Sequence, residues 1–383
     1  MSKDKGSITP QKLLEEMRRY EKGSVTRRHF LGVTGLGLAT AVMSTAVPGL
    51  RPRNAYAALS GTVNFTTWPN YFAQENIDNF TKNTGVKVNI TIFGSNEEML
   101  AKLQAGSTGW DLFVPTNYTI STYKKLDLIE PLDLKLMPNY DPASQDPRFT
   151  GPGTIDGVTY AVVKDWGTTG YVVDTRKVKA VPETWKDFFD AANGPLAGKV
   201  LVHDYQLTTI GGALKALGHS FNSIDPMENA EAEKLLLATK PHLFGINSDY
   251  QPSMRNGDAA MSMCWTNDGA QLHRDIPEME YRLGKDGGEI WADHYAVPKG
   301  APNRVAGYAL MDYLLTPEIN AKEVISNGAP AIDSRVNKLV PKEMLENPIL
   351  YPAAEFLSKL EFGAAETLTS PLRAEIMARF KAA

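Results

Sequence analysis

Three segments of the sequence decide the fold: GTVNFTT (61–67), VKVNITIF (86–93) and WDLFV (110–114). Each is short and apolar or alternating, as β-strands are. Residues 75–83 predict a helix that stops at Gly85, and Ser95 begins a Ser-x-x-Glu capping box for a second helix that runs to Gln104. Strand–helix–strand–helix–strand order over this length indicates parallel strands with helical crossovers, so the sequence predicts an α/β fold.

The same style of sequence resumes further along the chain. Residues 199–203 predict a strand, and 259–265 (AAMSMCW) predict a strand buried on both faces. The remaining periodic segments predict helices at 207–217, 230–239, 305–315, 317–326, 353–360 and 372–380. Residues 132–159 are rich in Pro, Asp and Gly and predict a long surface connection. The pattern favours two α/β lobes with a cleft between them.

An export signal precedes this region. Arg27 and Arg28 lead into an apolar run at 30–50 that has no charged residue, and Ala55-Tyr56-Ala57 has the small-x-small form of a cleavage site. This layout predicts a twin-arginine signal peptide at 1–57 and a mature protein in the periplasm. The alternative is a permanent membrane anchor, which the glycine, serine and threonine content of the run disfavours.

Composition narrows the class of partner. The signal segment holds ten of the 40 basic and four of the 44 acidic residues, so the remainder has ten more acidic than basic residues. That balance argues against nucleic acid or an anionic membrane as partner and suits a cation. Cys264 is the sole cysteine, so an internal disulfide is excluded.

Motifs for catalysis and metal binding are absent from the sequence. It contains no Gly-x-Ser-x-Gly elbow, no His-Glu-x-x-His, no Walker loop and no cysteine pair. His203 and Asp204 are adjacent on a predicted strand and point to opposite faces. Cys264 lies in the buried strand and is expected to be a small core residue. We therefore expect a protein that is not an enzyme and has neither cofactor nor metal.

Aromatic and acidic side chains recur where strands end or begin. Four clusters contain them: Trp68 and Tyr71, Thr116 and Tyr118, Trp265 and Asp268, and Trp291 and Asp293, the last of which opens a further strand. Loops at the carboxyl ends of parallel strands line the ligand crevice. Aromatic faces and carboxylates together select organic ammonium groups. Any one of these residues alone is more often core or a helix cap, but their repetition favours a site.

With these residues the sequence resembles the periplasmic polyamine-binding proteins, the spermidine/putrescine receptors of ABC importers. The resemblance runs from Gly61 to the C-terminus through an ordered set of short matches that includes Phe80-Thr81-Lys82, Asp111-Leu112, Trp166-Gly167 and Leu350-Tyr351-Pro352. It implies a two-lobed solute-binding fold of type II (Venus-flytrap) with hinge-crossing strands. Lobe 1 is expected to comprise 59–166 and 292–337, and lobe 2 to comprise 168–290 and 340–383.

The resemblance also implies a site, a function and partners. It implies that Trp68, Tyr71, Thr116 and Tyr118 line the cleft, and that Trp265, Asp268, Trp291 and Asp293 box and neutralise ammonium groups. The sequence departs from the family at Tyr205 and Thr208, where carboxylates are expected, and at Ala329, where an aromatic is expected. The implied function is capture of a putrescine- or spermidine-like polyamine and its delivery to a membrane permease. The expected receptor is a monomer that does not insert into the membrane.

Two other functions remain open. The same fold would bind a zwitterion such as an ω-amino acid if one carboxylate held the ammonium and Arg255 or Lys164 met the ligand's acid. A secreted enzyme or metal carrier is the third possibility, because twin-arginine export often carries prefolded or cofactor-loaded proteins. The missing catalytic and ligand spacings count against it, as does the lack of the adjacent tyrosines used by iron-binding relatives.

Overall fold

The computed structural model of the protein describes residues 59–106 and 109–383. The predicted signal peptide at 1–57 therefore lies outside the described residues. Over the described ranges, every helix is too short or too polar to cross a bilayer.

The strands of the described residues are β1 (Thr62–Thr67), β2 (Lys87–Ile92), β3 (Leu112–Phe113), β4 (Thr154–Ile155), β5 (Val158–Thr159), β6 (Ala161–Asp174), β7 (Val200–Val202), β8 (Gly245–Ile246), β9 (Met261–Trp265), β10 (Met279–Arg282), β11 (Gly288–Ala296) and β12 (Leu360–Phe362). The α-helices of the same ranges are α1 (Gln74–Thr84), α2 (Asn96–Gln104), α3 (Ile120–Lys125), α4 (Pro147–Thr150), α5 (Trp185–Asn193), α6 (Gln206–Ala216), α7 (Pro226–Thr239), α8 (Gln251–Arg255), α9 (Thr266–Asp275), α10 (Arg304–Leu314), α11 (Pro317–Asn327), α12 (Lys342–Leu345), α13 (Ala354–Leu357), α14 (Ala365–Leu368) and α15 (Pro371–Ala382).

One continuous sheet of ten strands runs through the molecule in the order β2-β1-β3-β11-β6-β9-β7-β8, with β10 beside β6 and β12 beside β11. The strands β1, β2 and β3 are parallel to one another, as are β7, β8 and β9. The two parallel groups are separated by β6 and β11, which pair antiparallel. The described chain thus forms two α/β lobes joined through an antiparallel pair.

The crossing strands β6 and β11 belong to both lobes. The 14-residue β6 is buried along its whole length. Its first residue, Ala161, pairs with Ala296, which in turn pairs with β3, whereas Thr169 to Val173 pair with β9 in the other lobe. The lobe boundaries expected from the resemblance, at 166/168 and 290/292, fall inside these two strands.

Helix ends in the first lobe follow the sequence signals closely. Helix α1 ends on Gly85, whose φ of 76° is the left-handed conformation that glycine adopts without a steric penalty. At the start of α2, the Ser95 hydroxyl accepts from the Glu98 N–H. The Glu98 carboxylate reaches back to the N–H of Gly94 instead of that of Ser95, so the predicted capping box is half formed.

Each lobe has its own apolar core. Helix α10 packs on β1 and β3, and the first core includes Phe65, Phe80 and Phe113. Helix α15 packs on α6 and α7 and closes a second core around Trp185 and Met263. Burying side chains of this size stabilises the fold by about 1.5–3 kcal/mol each. The single cysteine is free, so this packing stabilises the fold without a disulfide.

Several local predictions were wrong. The third strand has two residues instead of five, because Asp111 and Val114 bond to β1 outside the regular ladder. The helix predicted at 353–360 stops at 357, and 360–362 joins β11 as β12, so tertiary pairing overrides local propensity there. The predicted surface connection at 132–159 contains α4 and a small hairpin, and its Phe149 is buried against Trp166.

Candidate ligand-binding site

A small cavity of about 30 Å³ lies where the two lobes meet the crossing strands. Six of the eight predicted site residues line it: Trp68, Tyr71, Thr116, Trp265, Trp291 and Asp293. Four further residues that sequence reasoning did not select complete the lining: Pro69, Tyr205, Asn267 and Glu289. This volume accommodates little more than a water molecule or two, so the walls lie close together across the cleft.

Two tryptophans approach each other from opposite lobes. Trp68 follows β1 directly, and its indole N–H donates to the Val114 carbonyl at 3.1 Å, which fixes the ring orientation. Trp265 ends β9 of the second lobe, and its ring centroid lies 6.0 Å from that of Trp68. Both tryptophans therefore stand at the carboxyl ends of parallel strands, where the sequence pattern predicted them. They present two aromatic walls to the cavity.

The third tryptophan lies in the middle of β11, although the sequence pattern placed it at the start of a strand. Side chains alternate along a strand, so Glu289, Trp291 and Asp293 share one face, and all three line the cavity. The indole of Trp291 lies against Gly167 on the neighbouring β6. A Cβ at Gly167 would sit 2.4 Å from a ring carbon of Trp291, so only glycine fits beneath this ring.

Asp293 supplies a buried carboxylate with an unused acceptor. The residue is 5% exposed, and its Oδ1 has no hydrogen-bond partner among the described residues. Burial raises the pKa of Asp293 well above its usual value, and the nearby Asp165 carboxylate raises it further, whereas the Thr116 hydroxyl opposes the shift. A buried acceptor without a partner is costly, and a cation or other donor in the cavity would satisfy it.

A buried charge cluster lies behind Asp293. The Lys164 ammonium is 2.7 Å from an Asp165 oxygen and 3.6 Å from the centre of the Tyr71 ring. The Tyr71 hydroxyl donates to the same Asp165 carboxylate. Burial also raises the pKa of Glu323, which bonds to Asn76 and feels the Lys164 charge. The carboxylates of Asp165, Asp293 and Glu323 therefore share the single positive charge of Lys164. This end of the cleft favours an additional positive charge.

Glu289 is a second buried carboxylate in the cavity lining. Glu289 is 1% exposed. Thr169, which pairs with it on the neighbouring strand β6, donates a hydroxyl hydrogen bond to its carboxylate at 2.5 Å. Burial raises the pKa of Glu289 to about 7. Sequence reasoning missed this residue. The signal that would have found it is the period-two pattern Glu-x-Trp-x-Asp at 289–293.

Tyrosines from both lobes close one end of the cavity. Tyr205, which precedes α6, lines the cavity, and Tyr118 lies behind it in contact with its hydroxyl. The side-chain amide of Asn96 donates to Tyr205 at 2.9 Å, to Tyr118 at 3.2 Å and to Thr116 at 3.1 Å. Tyr118 is therefore a supporting residue of the lining, one layer further out than predicted.

The structure does not bring Asp268 to the cavity lining. Its carboxylate faces α8, where it accepts from the Gln251 amide at 2.7 Å. Burial raises its pKa to about 6. The two cationic residues considered for a ligand's acid are also engaged elsewhere. Arg255 bonds to Gln251 and pairs with Asp275, and Lys164 pairs with Asp165.

Other reactive side chains have ordinary structural roles. His203 is fully buried, contacts the Thr208 hydroxyl at 2.9 Å, and has a pKa lowered to about 3 by burial. Cys264 is fully buried in β9, and burial raises the pKa of its thiol. Within 59–106 and 109–383, the structure places no three His, Cys, Asp or Glu side chains so that they could hold a metal ion.

Comparisons with known proteins identify the family and the fold. Residues 75–350 match the family described as bacterial extracellular solute-binding proteins. The chain is 30% identical over 312 residues to the "Spermidine/putrescine-binding periplasmic protein" of Salmonella typhimurium, covering 80% of this chain and 88% of the relative. It is 29% identical to the "Putrescine-binding periplasmic protein PotF" of Escherichia coli, covering 84% and 90%.

Among solved structures, the chain is similar to a "Putative spermidine/putrescine ABC transporter from Listeria monocytogenes". The TM-score is 0.77 at 28% identity, and the match covers 84% of this chain and 99% of that one. The predicted two-lobed α/β fold is confirmed by these similarities. The ligand roles of the individual site residues stay predictions.

Proposed function

The chain belongs to the bacterial extracellular solute-binding protein family, and from that premise we propose that it is the polyamine receptor of an ABC importer. It captures a putrescine- or spermidine-like amine in the cleft between the lobes and delivers it to a membrane permease. It acts as a monomer and without catalysis. The relatives named for spermidine and putrescine support this proposal, since they match most of the chain.

One observation carries the proposal: Asp293, whose Oδ1 has no hydrogen-bond partner among the described residues, lines a cavity walled by Trp68, Trp265 and Trp291. A primary ammonium group satisfies both features, because it donates a charge-assisted hydrogen bond to the carboxylate and is attracted to the indole faces. The ligand's methylene groups lie against the same rings and bury apolar surface.

Entry of the ligand requires the lobes to part. A cavity of about 30 Å³ does not admit a diamine while Trp68 and Trp265 lie this close. Among the described residues, the lobes share only β6 and β11 as sheet connections, so opening takes place about these two strands. A ligand that contacts both lobes then stabilises the closed arrangement, because its contacts differ between the open and closed states.

A binding panel tests the proposal. Purified mature protein is titrated by calorimetry with putrescine, spermidine, an ω-amino acid and divalent metal ions. We expect saturable binding of at least one of the two polyamines and no comparable binding of the metals. Binding of the ω-amino acid alone would replace the proposal by the zwitterion function.

One feature favours an ω-amino acid as a second candidate ligand. The indole N–H of Trp291 has no acceptor among the described residues, and a ligand carboxylate would supply one. Against this candidate, Glu289 and Asp293 flank Trp291 on the same strand face and repel an anion. Arg255 and Lys164, the two cations proposed to meet the acid, do not line the cavity.

Polyamine affinity is expected to rise with pH. In the ligand-free protein, burial raises the pKa of Asp293 well above its usual value and that of Glu289 to about 7. An ammonium ligand favours the ionised carboxylates, so binding releases protons, while the amine itself stays charged because its pKa resembles that of lysine. Affinity should increase as the pH rises from about 5 through about 7, the pKa of ligand-free Glu289, and the raised pKa of Asp293 adds to the same trend.

Calorimetry in buffers of different ionisation enthalpy measures these protons directly. We expect net release near neutral pH. Proton uptake, or an affinity that does not change across the same interval, would show that no buried carboxylate meets the ligand's charge.

Export by the twin-arginine route is part of the proposal. The pair Arg27 and Arg28, the apolar run and the cleavage sequence at Ala57 support it. Replacing both arginines by lysine keeps the charge and should leave precursor in the cytoplasm, as measured by cell fractionation and immunoblotting. Mature protein that still reaches the periplasm in the double variant would contradict this route.

A further inference from the structure

We propose that Glu289 is a second cation-binding carboxylate of the cleft, so that the site selects a linear diamine over an amine with one charged end. This inference rests on the proposed function, since it concerns the same cavity. It gives the second ammonium of the ligand a partner, a role that the family resemblance had implied for Asp268.

The first support is position. Glu289 and Asp293 are four residues apart on β11 and face the same cavity, with Trp291 between them. At about 3.3 Å per residue, their Cα atoms are separated by about 13 Å along the strand, and both side chains can lean toward the indole. A flexible chain with an ammonium at each end therefore lies along one indole face and meets a carboxylate at each end.

The second support is the lack of a direct cationic partner for Glu289. Its hydrogen-bond donor in the structure is the neutral hydroxyl of Thr169. Arg373 is the positive residue whose charge is felt at Glu289, but its guanidinium donates to the backbone carbonyls of Leu207 and Phe221. The carboxylate charge thus has no ion pair in the described structure, as expected of a group whose counterion is the ligand.

The third support is the contrast with Asp268. That carboxylate already accepts from Gln251, whose own oxygen accepts from Arg255. Asp268 therefore belongs to a complete hydrogen-bonded chain behind Trp265, outside the cavity lining. Of the two acidic residues, Glu289 is the one that reaches the ligand's space.

The test compares a diamine with the same diamine acetylated at one end. The acetylated form keeps the chain and one ammonium but loses the second charge. Wild-type protein should bind the diamine at least tenfold more tightly, because only the diamine meets both carboxylates. In Glu289→Gln, which keeps the shape of the side chain, the diamine should fall to about the affinity of the acetylated form, and the affinity for the acetylated form should change little.

Different failures remain distinguishable. If wild-type protein binds neither compound and no spermidine, the proposed function itself fails; if it binds spermidine alone, the selection of a diamine is overturned. If wild-type protein prefers the diamine and Glu289→Gln keeps that preference in full, the assignment to Glu289 is overturned. Equal binding of the two compounds by wild-type protein also overturns the assignment to Glu289. This comparison needs no variant. An equal loss for both compounds in Glu289→Gln would indicate a structural role and overturns the assignment as well.

Discussion

Asp293→Asn is expected to reduce polyamine affinity more than any other conservative change in the cleft. The substitution keeps the size of the side chain but removes the charge that an ammonium meets in a water-poor cavity. Losing one partner of such a charge pair typically costs about 2–5 kcal/mol of binding free energy, which is well over tenfold in Kd. Calorimetric titration with putrescine and spermidine measures the loss.

The stability of the variant separates lost binding from lost folding. Because the folded pKa of Asp293 lies above its unfolded value, ionising this carboxyl costs stability as pH rises through that interval. Asparagine removes this cost, so the ligand-free variant should melt at the same temperature as wild type, or higher, at about pH 8. Asp268→Asn is the matched control, since Asp268 is equally buried but bonded to Gln251, and its loss of affinity should be much smaller. Equal losses for the two variants would contradict the placement of the site.

Gly167→Ala should weaken polyamine binding without touching a charged group. The added methyl would lie 2.4 Å from the Trp291 ring, which must move away from β6 and therefore into the small cavity. Overpacking of this kind typically destabilises the fold by about 1–3 kcal/mol, so the variant still folds if the parent stability is ordinary. We expect polyamine affinity to fall at least tenfold, together with a change in tryptophan fluorescence.

Gly151→Ala is the matched control for that variant. Gly151 has a helical φ of −51°, and a Cβ there meets nothing within 4 Å. Its binding and melting temperature should equal those of wild type. If Gly167→Ala bound the ligand as tightly as Gly151→Ala does, the Trp291 indole would not be a wall of the ligand site.

The parts of the fold that depend on local signals could be predicted from the sequence. The Gly85 cap and the Ser95 hydroxyl are local, and both helix ends lie within a residue of their predicted positions. The long strand β6 was missed because it is buried on every side and crosses two lobes, so its residues show no alternation. Strand β12 was missed because its pairing with β11 comes from distant sequence.

The candidate site could also be predicted only where it depends on local sequence signals. Trp68 follows β1 directly and Trp265 is the last residue of β9, and the rule for parallel sheets placed both at the cleft. Asp268 follows the same strand as Trp265, but it lies on the first turn of α9 and turns toward α8, which spacing along the chain does not reveal. Glu289 required knowledge that 289–293 form one strand, because only then do three side chains face the same cavity.

A crystal structure of the protein with a bound diamine is the most direct measurement of how the cleft recognises its ligand. We expect one ammonium within hydrogen-bond distance of Asp293 Oδ1, the alkyl chain against Trp291, and the lobes closed over it. A diamine bound outside the cavity lined by Trp68, Trp265 and Trp291, or one whose ammonium groups avoid Asp293, would contradict the proposed site.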